Sequence, residues 1–117
     1  MSSRSHTASL ISVDEQRVGH LAVVTIVGEV DISSSADLQR ALEIARDGRA
    51  TDIWLDLAHT TFMDCSGLRA LLDLRTSLQD ANRRLVVICA AGSVLRLLVL
   101  TGADRELEIY VAPAAAG

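Results

Sequence analysis

Short β-branched runs alternate with stretches of helical period along most of this 117-residue chain, and that alternation admits few folds. Leu85-Val86-Val87-Ile88-Cys89 is the extreme case, a near-continuous apolar run with the pattern of a strand covered by helices on both sides. Ile53-Trp54-Leu55-Asp56-Leu57 reads as the strand before it, and Leu68, Leu71, Leu72 and Leu78 mark a helix between the two. Further upstream, Leu38, Ala41, Leu42 and Ala45 fall at i, i+3, i+4 and i+7 after a Ser33-Ser34-Ser35 helix start, and Asp47-Gly48 stops them. Val94 to Leu100 predicts a short helix apolar nearly all round, and Leu107-Glu108-Ile109-Tyr110-Val111 a last strand. Such alternation implies right-handed parallel crossovers.

At the front, Leu10-Ile11-Ser12-Val13 and Leu21 to Val27 read as an antiparallel hairpin, with the polar Asp14-Glu15-Gln16-Arg17 and Gly19 as its connection. The second of these strands reads as buried on both faces. The expected fold is one α/β domain over residues 8–112: a mixed, mostly parallel sheet with an N-terminal antiparallel hairpin and helices packed on it. Residues 1–7 and 113–117 are expected to be flexible termini.

Composition removes several functions. Trp54, Phe62 and Tyr110 are the only aromatic residues, the basic residues are all Arg, and the net charge is −4. Neither base stacking nor phosphate-backbone neutralisation is provided for, so nucleic acid and anionic membrane are poor partners. Cys65 and Cys89 are the only cysteines and have no metal-ligand spacing, so neither metal nor cofactor is expected. The N-terminus lacks the apolar core of a signal peptide, and Val94 to Leu100 falls far short of the roughly 20 residues of a membrane span, which predicts a soluble, cytoplasmic protein.

In parallel α/β sheets ligands and partners meet the carboxyl ends of the strands. Three loops are expected there: Gly28 to Ser35 with Glu29 and Asp31, Ala58 to Gly67 with His59, Asp64, Cys65 and Ser66, and Ala90 to Ser93. A helix starting at Asp64-Cys65-Ser66-Gly67 aims free backbone N–H groups at that edge.

Gly28-Glu29-Val30-Asp31 before a Ser-rich helix start, followed by Asp56-Leu57 and Phe62-Met63-Asp64-Cys65-Ser66-Gly67-Leu68, resembles the STAS-domain anti-sigma-factor antagonists of bacteria over roughly residues 8 to 111. The resemblance implies a STAS-like domain, not an enzyme, that binds an anti-sigma factor of the ATP-dependent kinase type and so releases a sigma factor for transcription. It implies partner contacts at Asp31, Ser33, Asp64, Cys65, Ser66, Gly67, Leu68 and Arg69, in a monomer or weak homodimer. In that family the switch loop reads Asp, two hydroxyl residues and Gly, with the first hydroxyl phosphorylated. Here those positions are Asp64, Cys65, Ser66 and Gly67, so the acceptor position carries a thiol and phosphorylation control is expected to be lost. Alternatives remain: Ser66 as the acceptor, a Cys65–Cys89 redox pair in a redox- or ligand-sensing STAS module of a larger assembly, a phosphocysteine carrier, or a cysteine-dependent phosphatase built on Cys65 and Arg69. For the phosphatase, only Ser66-Gly67-Leu68 separate Cys from Arg, which is short for a phosphate cradle.

Overall fold

The computed structural model describes residues 3–8 and 11–113. Its elements are β1 (Ser3–Ala8), β2 (Ile11–Val18), β3 (Leu21–Val30), α1 (Ser35–Asp47), β4 (Asp52–Met63), α2 (Cys65–Asp80), β5 (Arg84–Ala90), α3 (Ser93–Leu100), a 3-10 turn (Ala103–Arg105) and β6 (Glu108–Ala112). The six strands lie in chain order in one sheet. β1, β2 and β3 pair antiparallel and β3 to β6 pair parallel, so the mixed, mostly parallel sheet with a leading hairpin is confirmed.

The hairpin is longer than its sequence suggests. Asp14 to Arg17 continue β2 instead of linking two strands, and the chain reverses in the two residues between Val18 and Leu21. Gly19 takes φ +61° there, which a tight hairpin turn requires and which costs glycine nothing. The polar side chains belong to the alternation: Ile11, Val13 and Glu15 face inwards, with Glu15 held 3.5 Å from Arg17. A further strand, β1 (Ser3–Ala8), begins within the terminus 1–7 expected to be flexible and ends on the first residue of the expected domain; residues 114–117 lie outside the described residues.

β3 to β6 step across the sheet with a helix in each connection, so right-handed crossovers place all three helices on one face. Ala22, Val24 and Ile26, then Ile53, Leu55 and Leu57, then Leu85, Val87 and Cys89 form one core with Leu38, Leu42, Leu71, Leu78 and Leu98. Each fully buried leucine contributes roughly 1.5–3 kcal/mol. The alternate set, Val23, Trp54, Val86, Ile88 and Tyr110, lies outside that core on the opposite face. Among the described residues, neither β5 nor β3 is therefore covered by helices on both sides. Val86, flanked in register by Trp54 and Glu108, is nevertheless only 2% exposed. In α3, Val94 and Leu98 enter the core while Val99 and Leu100 face solvent.

β4 also runs further than expected. Ala58 to Met63 remain in the strand, paired with β3 through two register shifts, between Thr25 and Val27 and between Gly28 and Glu29. Thr60 Oγ1 donates to the Ile26 carbonyl at 2.8 Å and Thr61 Oγ1 to that of Gly28 at 3.3 Å. Threonines suit a pleated, half-buried surface, and here they carry the ladder past the end of β5. The loop between β4 and α2 is thus reduced to Asp64.

Candidate functional site

Val30 pairs with Met63 at the ends of β3 and β4, and each is followed directly by an aspartate. The Asp64 amide donates to the Val30 carbonyl at 3.0 Å, so the ladder runs to the last residue before α2 and brings the Asp31 and Asp64 segments side by side.

Both segments read Asp-Xaa-Ser, and both fold the same way. Asp31 Oδ1 accepts from the Ser33 amide at 2.9 Å and the Ser33 hydroxyl at 2.6 Å. Asp64 Oδ1 accepts from the Ser66 amide at 3.0 Å, the Gly67 amide at 3.2 Å and the Ser66 hydroxyl at 2.5 Å. Asp64 is therefore the N-cap of α2, satisfying amides that the helix leaves unpaired. The Ser33 hydroxyl, more than the backbone amides, holds the Asp31 carboxyl below its usual range. Ser34 precedes α1 without capping it by its side chain: its buried hydroxyl donates to the Glu29 carbonyl at 2.8 Å and accepts from the Asp31 amide at 3.0 Å. Ser93 Oγ donates to the Thr61 carbonyl at 2.6 Å, tying the third segment to the same edge.

The middle residues of the two turns face solvent. Ile32 is 85% exposed and Cys65 is exposed; half-exposed Phe62 pairs with Glu29 one position before the strand ends. Arg69 is exposed one turn along α2, with Asp73 in a groove of about 240 Å³ between α1 and α2 that begins at Ser35 and Ser66. Of the residues expected to meet a partner, Ser33, Cys65 and Arg69 are exposed and Asp31, Asp64 and Ser66 half-buried, whereas Gly67 and Leu68 face inwards. A Cβ on Gly67 would lie 2.8 Å from side-chain atoms of Val30 and Met63, so this glycine lets α2 sit against the two strand ends. Glu29 is exposed next to the first turn, and exposed His59 lies further back in β4, opposite Val27.

Cys65 and Cys89 are both free thiols. Cys89 is fully buried on the helix-covered face of β5, and that burial pushes its thiol pKa up. Ile32 did not stand out in the sequence. The signal available for it is the repeated Asp-Xaa-Ser, whose central side chain must project when its neighbours fold back on the aspartate.

A family model described as the STAS domain matches residues 12–116. An anti-sigma-B factor antagonist of Listeria monocytogenes is 25% identical over 99 residues, covering 85% of this chain and 86% of the relative. One from Staphylococcus aureus is 25% identical over 86 residues, covering 74% and 80%. Among solved structures, an anti-sigma factor antagonist from Mycobacterium paratuberculosis superposes with TM-score 0.78 at 20% identity, over 95% of this chain and 87% of that one. The antagonist SpoIIAA in its unphosphorylated form does so with TM-score 0.73 at 19% identity, over 87% and 89%. These likenesses agree with the sheet order and helix placement described above, and with a family match spanning nearly the whole chain the protein belongs to the STAS domain family.

Proposed function

We propose that this chain is an anti-sigma-factor antagonist: it binds an anti-sigma factor of the kinase type through the edge at Asp31 and Asp64, and so frees a sigma factor in the cytoplasm. The observation that carries this reading is the pair of Asp-Xaa-Ser turns on adjacent strand ends. Internal hydrogen bonds hold both turns before any partner arrives, so binding spends little on loop ordering. Ile32, 85% exposed, offers an apolar anchor. The relatives named as antagonists of an anti-sigma factor support the partner class.

The acceptor position implied by the family pattern is Cys65, and the neighbouring hydroxyl is no substitute. Ser66 Oγ is engaged by Asp64, and one step along a helix turns a side chain by about 100°. The antagonist therefore stays competent in the presence of its kinase. A phosphate on this edge would add about −1.5 to −2 charges beside Asp31 and Asp64 and repel the partner. Phosphatase chemistry has no support in the geometry, because the Ser66 and Gly67 amides that would have to cradle a phosphate are already taken by Asp64.

Affinity capture from the native cytoplasm with wild type, Ile32→Asp and Arg69→Glu baits tests the assignment. A kinase-type anti-sigma factor should be retained by wild type and lost from both variants while their circular dichroism is unchanged. Its absence from the wild-type capture, or equal retention by Ile32→Asp, overturns the reading.

A further inference from the structure

The two turns at the Asp31–Asp64 edge are anchored unequally. Asp64 alone separates β4 from α2 and caps that helix with its carboxylate, so the second turn takes its position from the helix itself. Four residues, Asp31 to Ser34, separate β3 from α1, and the register shift between Gly28 and Glu29 interrupts the ladder just before them. Among the described residues the pairing of β2 with β3 stops at Gly28, short of the turn. The first turn, which carries the 85% exposed Ile32, therefore needs a clasp of its own.

Ser34 has the geometry of that clasp. A serine in this position ordinarily accepts a hydrogen bond from the first free amides of the helix it precedes. This one turns its hydroxyl back towards the strand: Oγ donates to the Glu29 carbonyl at 2.8 Å and accepts from the Asp31 amide at 3.0 Å, and α1 is left without a side-chain cap. The backbone closes the same loop. The Ser34 amide donates to the Asp31 carbonyl at 3.1 Å, and the Ser34 carbonyl accepts from the Asp37 and Leu38 amides at 3.1 Å each. Ser34 is also fully buried, and a buried hydroxyl that both donates and accepts fixes a geometry that solvent is not present to replace.

We infer, on the reading of this edge as the partner surface, that Ser34 is a positioning residue: buried beneath the turn, it holds Asp31 to Ser33 so that Ile32 projects in its binding orientation. Affinity falls with the fraction of molecules in which a binding-competent turn is formed, so the clasp acts on binding through that population.

Ser34→Ala removes the hydroxyl and leaves the Glu29 carbonyl and the Asp31 amide without it. In the free protein, amide exchange followed by NMR should quicken at Asp31 and Ser33 by at least about tenfold. Ser66 and Gly67, held by Asp64 in the twin turn, should keep their wild-type rates. The Asp31 carboxyl, kept low chiefly by the Ser33 hydroxyl, should titrate closer to its usual range as the turn loosens. Against the anti-sigma factor retained by the wild-type bait, Ser34→Ala should bind about tenfold more weakly, the loss expected when the held turn falls to about a tenth of the population. Ile32→Ala combined with Ser34→Ala should bind no more weakly than Ile32→Ala alone, because both changes withdraw the same side chain. Unchanged exchange at Asp31, exchange quickened equally throughout α1, wild-type affinity in Ser34→Ala, or losses that multiply in the double variant each overturn the inference. Capture of no anti-sigma factor by wild type overturns the partner assignment instead, and the exchange rates then still decide whether Ser34 holds the turn.

Discussion

Asp64 shows how one side chain can build a site. Its Oδ1 collects two amides and the Ser66 hydroxyl, which starts α2 firmly and, on the proposed reading, fixes the Ser66 hydroxyl away from the position held by Cys65. Wild type incubated with a matched anti-sigma kinase and ATP is therefore expected to keep its intact mass. Cys65→Ser should gain one phosphate and then lose the partner, and stoichiometric phosphate on Ser66 of wild type would disprove the account. Gly67 is the second residue on which the site depends, and it does so through packing: it is buried where α2 meets the two strand ends. Gly67→Val must push aside Val30 or Met63, and overpacking of this kind costs about 1–3 kcal/mol. The urea midpoint should fall accordingly, so partner-binding tests belong at Ile32, Cys65 and Arg69. The Asp-x-Ser repeat was legible in the sequence, but that each serine donates back to its aspartate was not, because a serine near a helix start has several backbone groups within reach.

At the scale of elements, two clips hold the helices and strands in register. Arg83 donates from Nε to the Ala50 carbonyl at 2.8 Å, from one terminal nitrogen to Arg46 at 2.6 Å and from the other to Gly48 at 3.3 Å. It brings a positive charge to the carbonyl end of α1 and ties that end to the start of β5. Arg83→Ala should cost about 1.5–3 kcal/mol in chemical denaturation and leave the partner-binding edge intact. On the open face, Arg84 bonds Glu108 across β5 and β6 and holds its carboxyl down to about 2. A depressed folded pKa gives stability that is present above the unfolded value, near 4.5, and lost as pH falls towards 2. The stability gap between wild type and Glu108→Gln should therefore be constant above pH 5 and narrow between about pH 4.5 and 2. A gap independent of pH across that window would show that the ion pair does not contribute.

For the whole molecule, the sheet separates two surfaces: an edge at the carboxyl ends of β3 and β4, and a broad face opposite the helices. The family resemblance implies a monomer or weak homodimer, and sedimentation at physiological salt is expected to return a monomer. A stable dimer broken by Tyr110→Lys would contradict this.

The order of strands and helices was written in the spacing of apolar residues, because helices and strands bury different periods of side chain and Leu38, Ala41, Leu42 and Ala45 satisfy only one of them. The position of the edge followed from that order together with Asp31 and Asp64. What the periods could not carry was anything set by pairing with a distant strand. Asp14 to Arg17 and Ala58 to Met63 look like polar links until β3 lies beside them and takes up their backbone groups. Val86 looks like the core of a two-sided layer, yet it lies outside the helix-covered core, between Trp54 and Glu108 in register. Local sequence determines which side chains share a face; only the packed structure decides whether another layer covers it, because that depends on the handedness and order of crossovers across the whole sheet.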